Sequence, residues 1–176
     1  MVYVGIDPGK SGGISFIHDD GAIRVYAMPV TSENEINVTR VVEIFKNECT
    51  DGQIQCYLED VHSIFGMSAS SNFQFGRVLG ILEGLLEAIN IKFTKVTPKV
   101  WQKEIWSGTT PISSPTGKLL KSGLPHVKVD TKGTSLLVAQ TLFPDVNLLA
   151  TSRSKVPHDG IVDALLIAEY CKRQNK

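Results

Sequence analysis

Two apolar runs, Met1–Ile6 and Ile14–Ile17, are separated by Asp7-Pro8-Gly9-Lys10-Ser11-Gly12-Gly13. Proline removes a backbone donor, and glycines favour conformations that regular elements do not use. This stretch therefore continues neither a helix nor a strand, and the chain must turn. The opening reads as strand, glycine-rich turn, strand. Asp19-Asp20-Gly21 is a second tight-turn signal, and Ile23–Met28 reads as a third strand. The first thirty residues thus commit the chain to a three-stranded meander.

Beyond the meander the apolar period changes. Ile36, Val38, Val41, Val42 and Phe45 fit one helical face, Asp51-Gly52 ends the segment, and Ile54–Leu58 reads as a short buried strand. Ser68–Ser71 starts a long helix whose apolar positions (Phe73, Val78, Ile81, Leu82, Leu85, Leu86) run to about Asn90. Ile91–Val96 is a fifth strand, and Pro98 begins a short helix through Trp101 to Ile105. Ser107–Pro125, rich in Gly, Ser, Thr and Pro, reads as a mobile loop of a length that usually carries function. Helices at about Lys132–Leu142 and His158–Arg173 close the chain. Strands first, then strands alternating with helices, predict an α/β fold with a mixed five-stranded sheet flanked by helices. The 176 residues suit one domain, 1–176.

Eighteen basic residues balance eighteen acidic ones, so net charge does not point to a nucleic-acid partner. Such a partner needs a local basic surface. Lys118, Lys121, His126 and Lys128 supply one, with no acid between Gly108 and Val129. Cys49, Cys56 and Cys171 lack metal-ligand spacing and read as free thiols of a reducing compartment. No signal peptide is visible, and no apolar run approaches the ~20 residues that span a bilayer. A cytoplasmic, soluble protein without a membrane partner is expected.

Four carboxylates stand out by position. Asp7 ends the first strand and Glu59 the fourth, with Asp60 beside it. Asp159 and Asp163 lie four apart at the start of the last helix, on one face. Each has an ordinary reading: Asp-Pro-Gly initiates turns, and an acid suits a helix N-terminus. A second acid at i+4 repels the first by about 0.2–0.5 kcal/mol and calls for compensation such as a cation. Asp163, followed by Ala164-Leu165-Leu166-Ile167-Ala168, stands where a core-facing helix prefers an apolar side chain. Carboxylates without thiols form a hard-oxygen site suited to Mg²⁺, with Mn²⁺ as the alternative. Two such ions, about 3.5–4 Å apart, are a standard device for phosphodiester hydrolysis.

Several motifs resemble those of the RuvC-type Holliday-junction resolvases of the ribonuclease H-like superfamily, especially phage-borne versions. Gly5-Ile6-Asp7-Pro8-Gly9 resembles the family's first motif, where the Asp is a metal ligand. Leu58-Glu59-Asp60-Val61 resembles the motif of the second acid, and Gln74-Phe75-Gly76-Arg77-Val78-Leu79-Gly80 comes after it at the family's spacing. In that family the long helix, here Phe73–Asn90, helps form a homodimer; from periodicity alone it is equally a plain core helix. Thr97-Pro98-Lys99-Val100-Trp101-Gln102-Lys103 resembles a segment with a functional lysine, matched by Lys103, and Lys132 matches a second. The ordinary fate of such lysines is solvated surface charge. His158-Asp159-Gly160-Ile161-Val162-Asp163 departs from the bacterial pattern. Bacterial members commonly place a further site residue where this chain has Gly160, whereas Asp159 matches some phage and mitochondrial relatives, with His158 as a possible helper.

The resemblance implies a homodimeric endonuclease that nicks four-way DNA junctions in pairs and leaves 5′-phosphate ends. Asp7, Glu59, Asp159 and Asp163 would hold two ions, and Lys103 and Lys132 would assist. Lys99, Lys103, Lys118, Lys121, Lys128 and Lys132 would contact DNA, with Phe65 and Phe73 at the branch point; for at least two of Phe65, Phe73 and Phe75 the core is the stronger reading. Two other readings stay open: a ribonuclease H-like nuclease for other branched or flapped DNA, and a non-catalytic junction-binding protein. An actin-like ATP-binding fold, which also begins with an Asp and a glycine turn, needs two lobes and a second phosphate loop. No nucleotide cofactor is expected.

Overall fold

The computed structural model describes residues 1–50, 52–61, 66, 68–119 and 121–176. The meander forms as read: β1 (Val2–Asp7), β2 (Gly13–His18) and β3 (Ile23–Ala27) pair antiparallel. β4 (Ile54–Glu59) then pairs parallel to β1, and β5 (Phe93–Val96) parallel to β4, giving the mixed order β3-β2-β1-β4-β5. Parallel neighbours need crossovers. These are α1 (Val38–Glu48) and α2 (Ala69–Ala88). α3 (Pro98–Ile105), α4 (Thr131–Leu142) and α5 (Asp159–Gln174) come later in the chain.

Side chains of a strand alternate between faces, and that parity sorts the core into two layers. Val2, Val4 and Ile6 of β1, with Cys56 and Leu58 of β4, pack against Val41, Ile44 and Phe45 of α1 and Val78, Leu82 and Leu86 of α2. Tyr3 faces the other way with Trp101 of α3, Val138 of α4 and Leu165, Leu166 and Ile167 of α5. Asp7 shares the parity of Tyr3, and Glu59 shares that of Tyr57, whose ring meets Tyr170 of α5 edge-on. Both acids therefore leave the sheet on the α5 side.

α5 lies across β1 and β2 at unusually close range. A Cβ at Gly5 would stand 2.2 Å from the Ala164 carbonyl oxygen, and one at Gly160 would stand 2.3 Å from that of Ser11. Only glycine at these two points lets the helix backbone rest on the strand and its turn.

Three boundaries differ from the sequence reading. α1 starts at Val38, where Asn37 caps it by accepting the Arg40 N–H at 3.0 Å, while Ile36 bridges to Val30. β5 begins at Phe93, two residues late. The larger correction concerns the expected loop from Ser107 to Pro125. Within it and beyond it runs a hairpin of β6 (Ser113–Leu119) and β7 (Pro125–Val129). Pro115 and Pro125 argue against a central strand, but an edge ribbon tolerates them. With every described residue of the ribbon exposed, no burial pattern marks it in the sequence. Among the described residues no helix is long and apolar enough to cross a membrane.

Candidate active site

In the parallel register Ile6 sits opposite Leu58, which brings Asp7 and Glu59 side by side at the carboxyl ends of adjacent strands. α5 supplies Asp163 one helical turn in from its start, amid buried neighbours. The three carboxyls sense one another. Burial raises Asp7 well above the usual carboxylate range, and the negative charges of Glu59, Asp163 and Asp159 push it further. Burial also brings Glu59 up to about 7, opposed by a hydrogen bond from Trp101 and assisted by Asp163. Asp163 is brought up to about 6 by burial, opposed by a bond from Ser135 and assisted by Asp159.

Three side chains from α3 and α4 support this group. The Trp101 indole Nε1–H donates to Glu59 Oε1 at 2.8 Å, from a position with no solvent exposure. Ser135 of α4 holds the Asp163 pKa down, yet Asp163 Oδ1 stays buried without a hydrogen-bond partner. A buried carboxylate oxygen without a donor is costly. Lys132 Nζ donates to Asp159 Oδ2 at 2.5 Å, and its charge opposes the rise at both Asp7 and Asp163.

The sequence-derived residues divide accordingly. Asp7, Glu59 and Asp163 come together, with Asp159 and Lys132 paired on the exposed rim above them. His158 is the N-cap of α5, where its Nδ1 accepts the Ile161 N–H at 3.3 Å. A Cβ at Gly160 would stand 2.3 Å from the Ser11 carbonyl oxygen, so no side chain fits at that position. Lys132 acts on Asp7 and Asp163, whereas Lys103 is not among the charges acting on Asp7, Glu59 or Asp163. It is exposed two residues beyond Trp101, about 200° around α3, and shares its face with Lys99 four residues earlier. Phe73 is 69% exposed, Phe75 is half-buried and lines a cleft with Asp7 and Lys10, and Phe65 lies outside the described residues.

Trp101 and Ser135 escaped the sequence reading as site residues. An indole and a hydroxyl on short helices carry no signal of a carboxylate partner 42 and 28 residues away. An ion-pair bridge also went unread: Glu35 joins Lys10, at 3.4 Å, to Arg77 of α2, at 3.1 Å.

The carboxylates offer only hard oxygen donors, and the orphaned Oδ1 and mutually raised acidities are what a divalent cation would relieve. Among the described residues no three His, Cys, Asp or Glu side chains close into a ready-made metal cage. The donor set fits such a cation in chemistry, and binding would have to draw the oxygens together.

The whole chain superposes on solved resolvases. RuvC of Thermus thermophilus in complex with a Holliday junction substrate aligns over 99% of this chain and 96% of its own, with a TM-score of 0.57 and 15% identity. The fold is that of RuvC. A second T. thermophilus RuvC structure covers 99% and 97% at a TM-score of 0.55 and 17% identity. Ydc2, the yeast mitochondrial Holliday junction resolvase, covers 97% of this chain and 77% of its own, at 0.55 and 14%. No family model and no curated relative matches the sequence. The RuvC likeness is therefore carried by backbone geometry at identities where few side chains are shared.

Proposed function

We propose that the chain is a divalent-metal-dependent endonuclease that resolves four-way DNA junctions. The observation that carries this reading is the convergence of Asp7, Glu59 and Asp163 at the carboxyl ends of β1 and β4, with Asp163 Oδ1 buried and unpartnered. The RuvC fold supports the junction as substrate, since one solved structure of that fold holds a Holliday junction substrate and another is a Holliday junction resolvase. Asp7, Glu59 and Asp163 would hold Mg²⁺ or Mn²⁺, with Asp159 completing the set from the rim. Two such ions would supply activation of water and stabilisation of the leaving 3′-oxygen, chemistry that leaves 5′-phosphate ends. Trp101 and Ser135 orient two of the carboxylates. Lys132 balances their charge and faces the phosphate, a role the resemblance shared with Lys103. Lys99 and Lys103 form one exposed cationic face on α3, suited to backbone contact away from the reacting phosphate. Lys118, Lys121 and Lys128 extend this contact, and exposed Phe73 suits the branch point.

A symmetric junction calls for two sites related by a twofold axis. The outer face of α2 supports a homodimer. Gly76, Gly80 and Gly84 recur every fourth residue, with open space where each Cβ would stand, so a second helix could approach closely.

The deciding experiment is cleavage of a labelled four-way junction, a flap and a plain duplex, with and without Mg²⁺. Wild type is compared with Asp7→Asn and Asp163→Asn, and sedimentation gives the oligomeric state. Paired symmetric nicks that need the metal and both acids are expected. Equal cutting of the flap would broaden the reading to branched DNA in general. Junction binding without any cutting would leave a non-catalytic binder.

A further inference from the structure

The β6–β7 ribbon is exposed on both faces, and the two faces differ. Residues directly opposite in a ladder share a face. Ser114 pairs with Lys128, and Thr116 Oγ1 lies 3.0 Å from His126 Nδ1, so these four make a polar, basic side. Pro115 pairs with Val127 and Leu119 with Pro125, and Val129 has the same parity, so these make an apolar side. Leu119 is 71% exposed, and Leu124, in the turn, is 63% exposed. Lys118 and Lys121 flank them. A two-stranded ribbon with no buried face is at best marginal in water, so this one is built to lie against something.

Its base is tied by hydrogen bonds and joined to the candidate active site. Asp130 donates its N–H to the Ile112 carbonyl at 2.8 Å, and Ile112 donates to Thr134 Oγ1 at 3.0 Å. Asp130 also caps α4 by accepting the Gly133 N–H at 3.0 Å. Ser114 and Lys128 of the ribbon consequently line one 360 Å³ cleft with Lys132. The polar side continues the cationic rim outward from the carboxylates.

We propose, building on the nuclease reading, that this ribbon is a second DNA-contact element. Its polar side tracks the backbone of the strand engaged at the carboxylates, and its apolar tip packs on bases unpaired at the branch. Charge decides between this occupant and a second copy of the chain. The segment carries Lys118, Lys121, His126 and Lys128 without one acid between Gly108 and Val129, so it complements phosphate and offers a second copy of itself no opposite charge. DNA satisfies both surfaces, since apolar side chains wedge between unstacked bases while lysines meet phosphates.

The test uses the full chain in EDTA with junctions carrying 2-aminopurine at the branch. Two variants, Leu119→Ser/Leu124→Ser and Lys118→Ala/Lys128→Ala, are compared with wild type after circular dichroism confirms an unchanged fold. The leucine variant should lose the rise in 2-aminopurine fluorescence and keep the salt dependence of binding. The lysine variant should lower the slope of log K against log salt by about two. Wild-type behaviour of both variants overturns the proposal, and if wild type still cleaves junctions with metal, the nuclease reading survives it. Loss of self-association in the leucine variant, with fluorescence unchanged, overturns it in favour of a copy contact. Altered slopes and fluorescence in a protein that cleaves nothing would sink the nuclease reading and keep the ribbon.

Discussion

The Trp101 indole, fully enclosed, donates its N–H to Glu59 Oε1 at 2.8 Å, and so a core residue of α3 fixes a carboxylate at the end of β4. This bond opposes the burial that raises Glu59 to about 7. Trp101→Phe removes the donor and keeps an aromatic ring. The acid limb of the cleavage pH profile should then move to higher pH. Stability in urea should fall by about 1–3 kcal/mol, the cost of an unsatisfied buried acceptor.

The raised acids also set how stability depends on pH. Folded Glu59 and Asp163 keep protons up to about 7 and about 6, whereas unfolded carboxyls release theirs near 4. Between pH 4 and 7 the unfolded state therefore binds fewer protons. Without metal, the stability these groups contribute is fully present below about pH 4 and is lost as pH rises through 6 and 7. Thermal midpoints measured across that window should fall, and Mg²⁺ at pH 7.5 should restore them. Asp163→Asn should flatten the fall, raise the metal-free midpoint and lower cleavage by about 100-fold or more.

Lys132 and Asp159 form an exposed pair, so Lys132→Ala should leave stability almost unchanged, within the 0–1 kcal/mol typical of such pairs. Its charge nevertheless reaches Asp7 and Asp163. Cleavage of a bound junction, measured in single-turnover kinetics, should slow about 100-fold. An equal loss in Lys103→Ala would contradict a reading in which Lys132, not Lys103, acts on the carboxylates.

Gly160→Ala tests the contact that seats α5. The new methyl would stand 2.3 Å from the Ser11 carbonyl oxygen, and backbone must shift to admit it. A destabilisation of about 1–3 kcal/mol is expected in denaturant titrations. Gly76→Ala, with open space around it, should cost nothing comparable in the monomer.

The sheet was legible because turns and periods punctuate this chain strongly. Asp7-Pro8-Gly9 and Asp19-Asp20-Gly21 isolate the meander, and the change to helical spacing after Ile36 marks the crossovers. Asp7, Glu59 and Asp163 could be read because each acid ends a strand or interrupts an apolar helix. Trp101 and Ser135 could not, since a hydrogen bond across the fold leaves no local trace. The ribbon was hidden for the opposite reason. Its strands bury nothing, so they lack the alternation by which strands are recognised, and their prolines read as loop.

The backbone bond from Asp130 to Ile112 closes the ribbon at its base, so chain can be added or removed there without disturbing the sheet. Such an arrangement separates two tolerances to change. The carboxylate group depends on contacts among five elements, so a substitution in any of them is felt there. A change of length or charge within Ser113–Val129 would leave those contacts in place.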